Sequence, residues 1–250
     1  MIASFPMYER PETHAANAEF WQLIRQYLIE NSIPAPEALS QGADVMSAWT
    51  DPLLVLSQTC GMPYRNFLHD KVKLVGTLDY GLANCPPGYY RSCFVTRKSD
   101  PRKTLAAFQD AVFAYNEKGS QSGFAAPLNH MAAFGLQFKD QRPSGRHVNS
   151  GRMVANWEAD IAALDGVTWR LMQRYDRFAE DLQVLSWTEP ATPGLPLITS
   201  CKNSTSVVYD AVKFAIGGLD VSSKKTLSIR GLIKIPEQAY LLDANPSSYH

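Results

Sequence analysis

The sequence predicts an α/β fold, and three observations carry that prediction. Apolar runs of strand length alternate with segments of helical apolar spacing along almost the whole chain, the pattern of parallel sheets covered by helices on both faces. Turn-forming residues, chiefly Gly, Pro, Asn and Ser, punctuate the runs, so each element is short. Hydrophobic residues make up 45% of the 250 residues, which supports a real core and fits either one large domain or two lobes of about 100–150 residues.

Taken in order, Ala3-Ser-Phe-Pro-Met-Tyr8 reads as a short apolar strand that ends in a polar turn. From Ala16 to Glu30, residues Phe20, Trp21, Ile24, Tyr27 and Leu28 recur at helical spacing, giving a helix with one buried face. Pro34 and Pro36 stop it, and residues 37–49 read as a second helix. Pro52–Gln58 is a buried strand with a turn at Thr59–Pro63, and Val72–Gly76 is another strand. A loop at 81–88 leads to the strand Tyr89–Thr96, and Asp100-Pro101 opens a short helix to Phe108. After the strand at 111–115 and the helix that follows Ser122, a polar turn at Gly145–Ser150 leads into a helix predicted over 150–158. The strand 160–164, a helix opening at Asp165, the strand Leu182–Trp187 and a Pro-rich loop at 190–196 come next. The strand 197–199, helices over 204–217 and 218–228, and a loosely ordered tail after Leu242 complete the chain.

Composition excludes several classes. Acidic and basic residues balance at 24 each with no Lys/Arg run, so there is no electrostatic footprint for nucleic acid. No apolar segment approaches the roughly 18–20 residues that span a bilayer. The opening residues lack a basic segment followed by an apolar one, so the expectation is a soluble chain, periplasmic if a leader has been removed and cytoplasmic otherwise. Cys60, Cys85, Cys93 and Cys201 have no metal-ligand spacing, so neither a structural metal nor a cofactor is expected. Cys60 and Cys85 both sit in turn-rich sequence where a pair is conceivable, with thiols the expected state.

The stretch that carries chemistry runs from Ala111 to Phe134. An apolar strand ends in Asn116, a polar turn holds Gly119, and a helix-like segment opens with Ser120-Gln121-Ser122-Gly123. Backbone N–H groups at such a helix start have no intrahelical partner, and the dipole presents positive charge, so an oxyanion can be held without a formal cation. The same serines also suit plain helix capping. Other predicted strand ends carry Tyr8, Gln58 with Thr59, His147 to Ser150, and Asp165, a set rich in donors with one acid. Each has a structural alternative. Tyr8 and Tyr90 suit the roof of a core, Ser150 and Asp165 suit N-caps, Gln58 suits a buried backbone partner, and His147 suits an ordinary turn. Their coincidence at one sheet edge favours ligand binding. Asp165 makes sense beside an anion only if the ligand brings a proton or an ammonium to it, as phosphate, phosphite and phosphonate monoanions do and sulfate does not.

Phe5-Pro-Met-Tyr8, Leu54–Gly61, Gly88-Tyr-Tyr-Arg-Ser92, Asn116 with Ser120-Gln-Ser-Gly123, Gly145–Ser150 and Glu158–Asp165, in that order, resemble the phosphate/phosphite/phosphonate substrate-binding proteins of ABC transporters. The resemblance runs from about residue 3 to 200 and implies the type II periplasmic-binding-protein fold, two α/β lobes joined by two crossover strands with the ligand cleft between them. It implies lobes of 1–90 plus 188–250 and of 91–187. It also implies that Ser120, Gln121, Ser122 and His147 grip the oxyanion, that Asp165 is the acid, and that Tyr8 and Tyr90 contribute from the first lobe; Gln121 stands where the family often has Thr. The expected role is capture of a small phosphorus oxyanion for a membrane permease, as a monomer without catalysis. Two other readings stay open: an enzyme on the same scaffold with Cys60 as nucleophile and His147 as base, and a cytosolic ligand-sensing domain.

Overall fold

The computed structural model describes residues 1–42 and 44–249. Contacts group the chain into two compact units, Met1–Ala83 with Pro193–Leu241, and Asn84–Thr192 with the residues from Leu242. The resemblance instead sets its lobe limits at 90/91 and 187/188 and assigns the C-terminal residues to the first lobe.

The first unit is built on five strands in the order Ile2–Ser4, Leu54–Gln58, Pro196–Ser200, Val72–Asp79, Gly231–Ile233. The first two are parallel, and Pro196–Ser200 runs antiparallel to both of its neighbours. Helix His14–Glu30 buries Phe20, Trp21, Ile24 and Leu28, the face its spacing predicts, against Leu56, Val75 and Leu197 of the sheet and Val208, Val212 and Ala215 of helix Thr205–Gly218. Full burial of each of these large side chains contributes about 1.5–3 kcal/mol. Trp21 also places its indole N–H on the Pro36 carbonyl at 3.1 Å, so its one polar atom is satisfied. Helix Glu237–Leu241 seats Tyr240 against the Thr77 hydroxyl, and the Tyr64 hydroxyl donates to Glu237 Oε1 at 2.7 Å.

The second unit holds five strands in the order Asp140–Pro143, Val112–Tyr115, Ile161–Asp165, Ser92–Arg97, Leu182–Trp187. Val112–Tyr115 is parallel to both of its neighbours, and Ser92–Arg97 is antiparallel to both of its own. Strand alternation splits its core in two. Cys93, Val95, Ala162 and Leu164 face Val154, Trp169 and Met172 on one side, while Phe94, Phe113, Ile161 and Ala163 face Phe124, Met131 and Phe138 on the other.

Several expectations change. Both sheets are mixed rather than parallel: Ser92–Arg97 and Pro196–Ser200 each run against both of their neighbours, and Gly231–Ile233 runs against Val72–Asp79. The helix expected over 37–49 shortens to Val45–Thr50, capped by Asp44 Oδ1 on Ser47 N–H at 2.9 Å; Gly42 ahead of it takes the left-handed φ of +67°, and Ala43 lies outside the described residues. The helix expected from Asp100 is a single turn, Leu105–Phe108, since Asp100 spends both carboxylate oxygens on Arg102. Asp140–Pro143 is a strand that the sequence did not suggest, and the helix predicted over 150–158 runs from His147 to Ala155. All four cysteines are thiols.

Candidate functional site

In the second unit three strands that run the same way, Asp140–Pro143, Val112–Tyr115 and Ile161–Asp165, each lead into a helix start at one edge of the sheet. Val112–Tyr115 ends at Asn116, and the chain re-enters helix at Ser120 through a wide π-helical turn, Gln121–Ala125, before helix Ala126–Ala133. Ser120 is the cap: its Oγ accepts from Gly123 N–H at 3.0 Å and its carbonyl from Ala125 N–H at 3.0 Å. Its hydroxyl proton stays available to a ligand.

Helix His147–Ala155 starts at His147, whose Nε2 lies 2.9 Å from Ser122 Oγ. Burial holds the ring's pKa down to about 4, with the Ala163 carbonyl acting in the opposite direction, so His147 is neutral near pH 7. Gly123 closes the cluster. A Cβ on it would lie 1.9 Å from Asn116 Oδ1 and 2.9 Å from His147 Cε1, so only glycine lets the strand end and the histidine pack onto the turn. Asn116 Oδ1 is buried and meets no hydrogen-bond partner among the described residues.

Asp165 caps the third helix, Gly166–Tyr175, with Oδ1 accepting from Val167 N–H at 2.7 Å and Thr168 N–H at 2.9 Å. Ser150 is no cap: Arg146 holds that position, and Ser150 sits buried one turn into the helix with its Oγ 2.6 Å from Ser144 Oγ. Tyr90 is buried next to the Asp165 end of the sheet, where Ser92 pairs with Asp165 and Gly166 N–H donates to the Arg91 carbonyl.

In the first unit the ends of Leu54–Gln58 and Val72–Asp79 carry further candidates. Gln58 is buried and donates from Nε2 to the Tyr80 hydroxyl at 3.2 Å, and Tyr80 meets Tyr8 edge to face at 5.1 Å. Thr59 donates its N–H to the Pro196 carbonyl, while its Oγ1 is buried without a partner among the described residues. Tyr80 was not among the sequence candidates: the strand read as Val72–Gly76 runs on to Asp79, and Tyr80 follows that end directly. Cys60 caps the short helix Gly61–Pro63 in this unit, whereas His147 is engaged by Ser122 in the other. No cluster that could hold a metal ion occurs among the described residues, and no helix among them is long and apolar enough to cross a membrane.

Residues 54–240 match the family model described as "ABC transporter, phosphonate, periplasmic substrate-binding protein". The chain belongs to this family of phosphonate-binding proteins. The matched span contains every candidate site residue except Tyr8. No curated protein matches the sequence. Among solved structures, PhnD1 of Prochlorococcus marinus in complex with methylphosphonate has a TM-score of 0.70 at 15% identity, covering 96% of this chain and 94% of that one. A binding-protein component of an ABC phosphonate transporter from Pseudomonas aeruginosa reaches 0.66 at 17% identity, covering 96% and 82%. A Xanthomonas citri protein bound to chloride ion reaches 0.68 at 13% identity, covering 95% and 92%. At these identities the likeness establishes the fold, that of the type II periplasmic binding proteins.

Proposed function

We propose that this chain captures a small phosphorus oxyanion, phosphate, phosphite or phosphonate, and hands it to the permease of an ABC transporter from the periplasm. One observation carries the reading. The turn at Gln121–Ala125 gathers backbone N–H groups, the Ser120 and Ser122 hydroxyls and a neutral His147 at one point with no Lys or Arg among them. Preorganised neutral donors suit an oxyanion that must be released again, since affinity then rests on geometry rather than on a buried ion pair. In this reading Ser120, Gln121, Ser122 and His147 hold the oxyanion, with Ser150 supporting the His147 helix start. Asp165 is the acid that accepts a ligand P–OH proton, the feature that sulfate lacks near neutral pH. Tyr8, Gln58, Thr59 and Tyr90 contribute from the remaining strand ends, and the two lobes run as 1–90 plus 188–250 and 91–187. The protein acts as a monomer and performs no catalysis.

A thermal-shift screen against phosphate, phosphite, methylphosphonate, 2-aminoethylphosphonate, sulfate and acetate tests the proposal. A ligand at about 100 times its dissociation constant adds about 2.7 kcal/mol of stability. The expected result is a shift confined to phosphorus oxyanions, whose order ranks the ligands. An equal shift with sulfate, or none with any phosphorus compound, overturns the assignment.

A further inference from the structure

The second unit carries a cavity of about 600 Å³ whose lining shares no residue with the oxyanion candidates. Its apolar floor includes Leu105, Leu136 and Leu185, and its volume falls in the range of small-molecule sites. His130 lines it and is only 6% exposed. The Glu189 backbone N–H donates to His130 Nδ1 at 3.1 Å, and the Glu189 carbonyl oxygen lies 3.5 Å from the same nitrogen; with Nδ1 accepting the shorter bond, the ring carries its hydrogen on Nε2. Among the described residues Nε2–H has no acceptor, and Nε2 retains contact with solvent, so it is open to a ligand in the cavity that His130 lines.

The charges of the lining do not cancel. Arg91 is matched, with Nη2 2.6 Å from Glu189 Oε1 and Nε donating to the Thr188 carbonyl at 2.6 Å. Lys103 donates from Nζ to the Asp100 carbonyl at 3.0 Å, a neutral partner, and pairs with no carboxylate among the described residues. One positive charge and one histidine N–H therefore share this lining with apolar side chains.

We propose that this cavity is a second ligand site, which takes an amphiphilic monocarboxylate. The carboxylate accepts from His130 Nε2–H and Lys103 Nζ, and an alkyl body covers Leu105, Leu136 and Leu185. Inorganic phosphate would leave those leucines wet, and a neutral alkyl chain would make no use of the lysine's charge. The site is independent of the oxyanion reading.

The test is calorimetric titration of the full chain with sodium octanoate and with octanamide, its neutral counterpart, with methylphosphonate titrated in parallel. The expected result is saturable octanoate binding, at least about tenfold weaker for octanamide, in line with loss of a charge-assisted hydrogen bond. Leu136→Trp, which fills the floor, is expected to abolish octanoate binding and leave the methylphosphonate titration unchanged. Lys103→Gln, on an exposed side chain, is expected to weaken octanoate about tenfold and serves if the tryptophan variant does not fold. Equal binding of acid and amide, no saturable binding of either, or octanoate binding insensitive to both variants would overturn the proposal. Competition between octanoate and methylphosphonate would overturn it too, since the ligand would then lie in the oxyanion site.

Discussion

Asp165 holds the first turn of its helix with one carboxylate oxygen, which makes its asparagine variant an informative probe. Asparagine caps a helix about as well as aspartate, so Asp165→Asn keeps the fold while removing the acceptor that a protonated ligand needs. Phosphonate or phosphate affinity is expected to fall about 10–100-fold in this variant, the worth of a hydrogen bond to a charged group, and sulfate exclusion to relax. Unchanged affinity and unchanged exclusion of sulfate in a competition titration would reduce Asp165 to its capping role. His147 gives a pH prediction. Its pKa falls from the ordinary 6.5 to about 4 because burial penalises the charged ring. Between those two values the unfolded chain binds the proton more readily than the folded one, so this group's effect is to lower stability as pH falls through the window and to leave it flat above 6.5. Thermal unfolding followed from pH 7 to pH 4 is expected to show a shallower loss in His147→Gln than in the parent chain. Parallel curves would show that the histidine is solvated.

At the scale of elements, the turn at Gln121–Ala125 depends on close approach more than on any single donor. Gly123→Ala puts a methyl group 1.9 Å from Asn116 Oδ1, so the strand end or the turn must move. Overpacking of this kind costs about 1–3 kcal/mol, and the same movement shifts Ser122 away from His147, so denaturant midpoint and oxyanion affinity are both expected to drop. An alanine variant with native affinity would show that the turn is soft. The serines of this turn were legible in the sequence because a strand, a glycine-bearing loop and spaced hydroxyls follow in order. The start of the His147 helix was not, because Arg146 caps it without a side-chain hydrogen bond and leaves no Ser, Asp or Asn signal, so Ser150 looked like the better boundary. Strand Asp140–Pro143 was invisible for a different reason: Asp-Gln-Arg-Pro at a sheet edge has no apolar alternation, and its pairing with Val112–Tyr115 is made by backbone alone. Helix His14–Glu30 stood out because the face it buries coincides with its apolar spacing.

For the whole molecule, neither composition nor linker chemistry marks where the chain passes between its units. Each unit is assembled from separated segments, and the chain passes between them at 83/84, within the two-residue strand Thr192–Pro193, and at 241/242. The lobe limits that the resemblance implies, 1–90 plus 188–250 and 91–187, come from the order of the family's sequence blocks, a level of information that residue patterning does not hold. The same division makes the proposed site testable in one experiment. Gln121–Ala125, His147–Ser150 and Asp165 belong to the second unit, and Tyr8, Gln58 and Thr59 to the first. If donors from both grip one ligand, its binding free energy resists local opening in both. Amide hydrogen exchange with saturating methylphosphonate is then expected to slow at 121–125 and 147–150, and also at 58–61. Slowing confined to the second unit would remove Tyr8, Gln58 and Thr59 from the site and leave the Ser120–Ser122 turn with His147 as the whole of it.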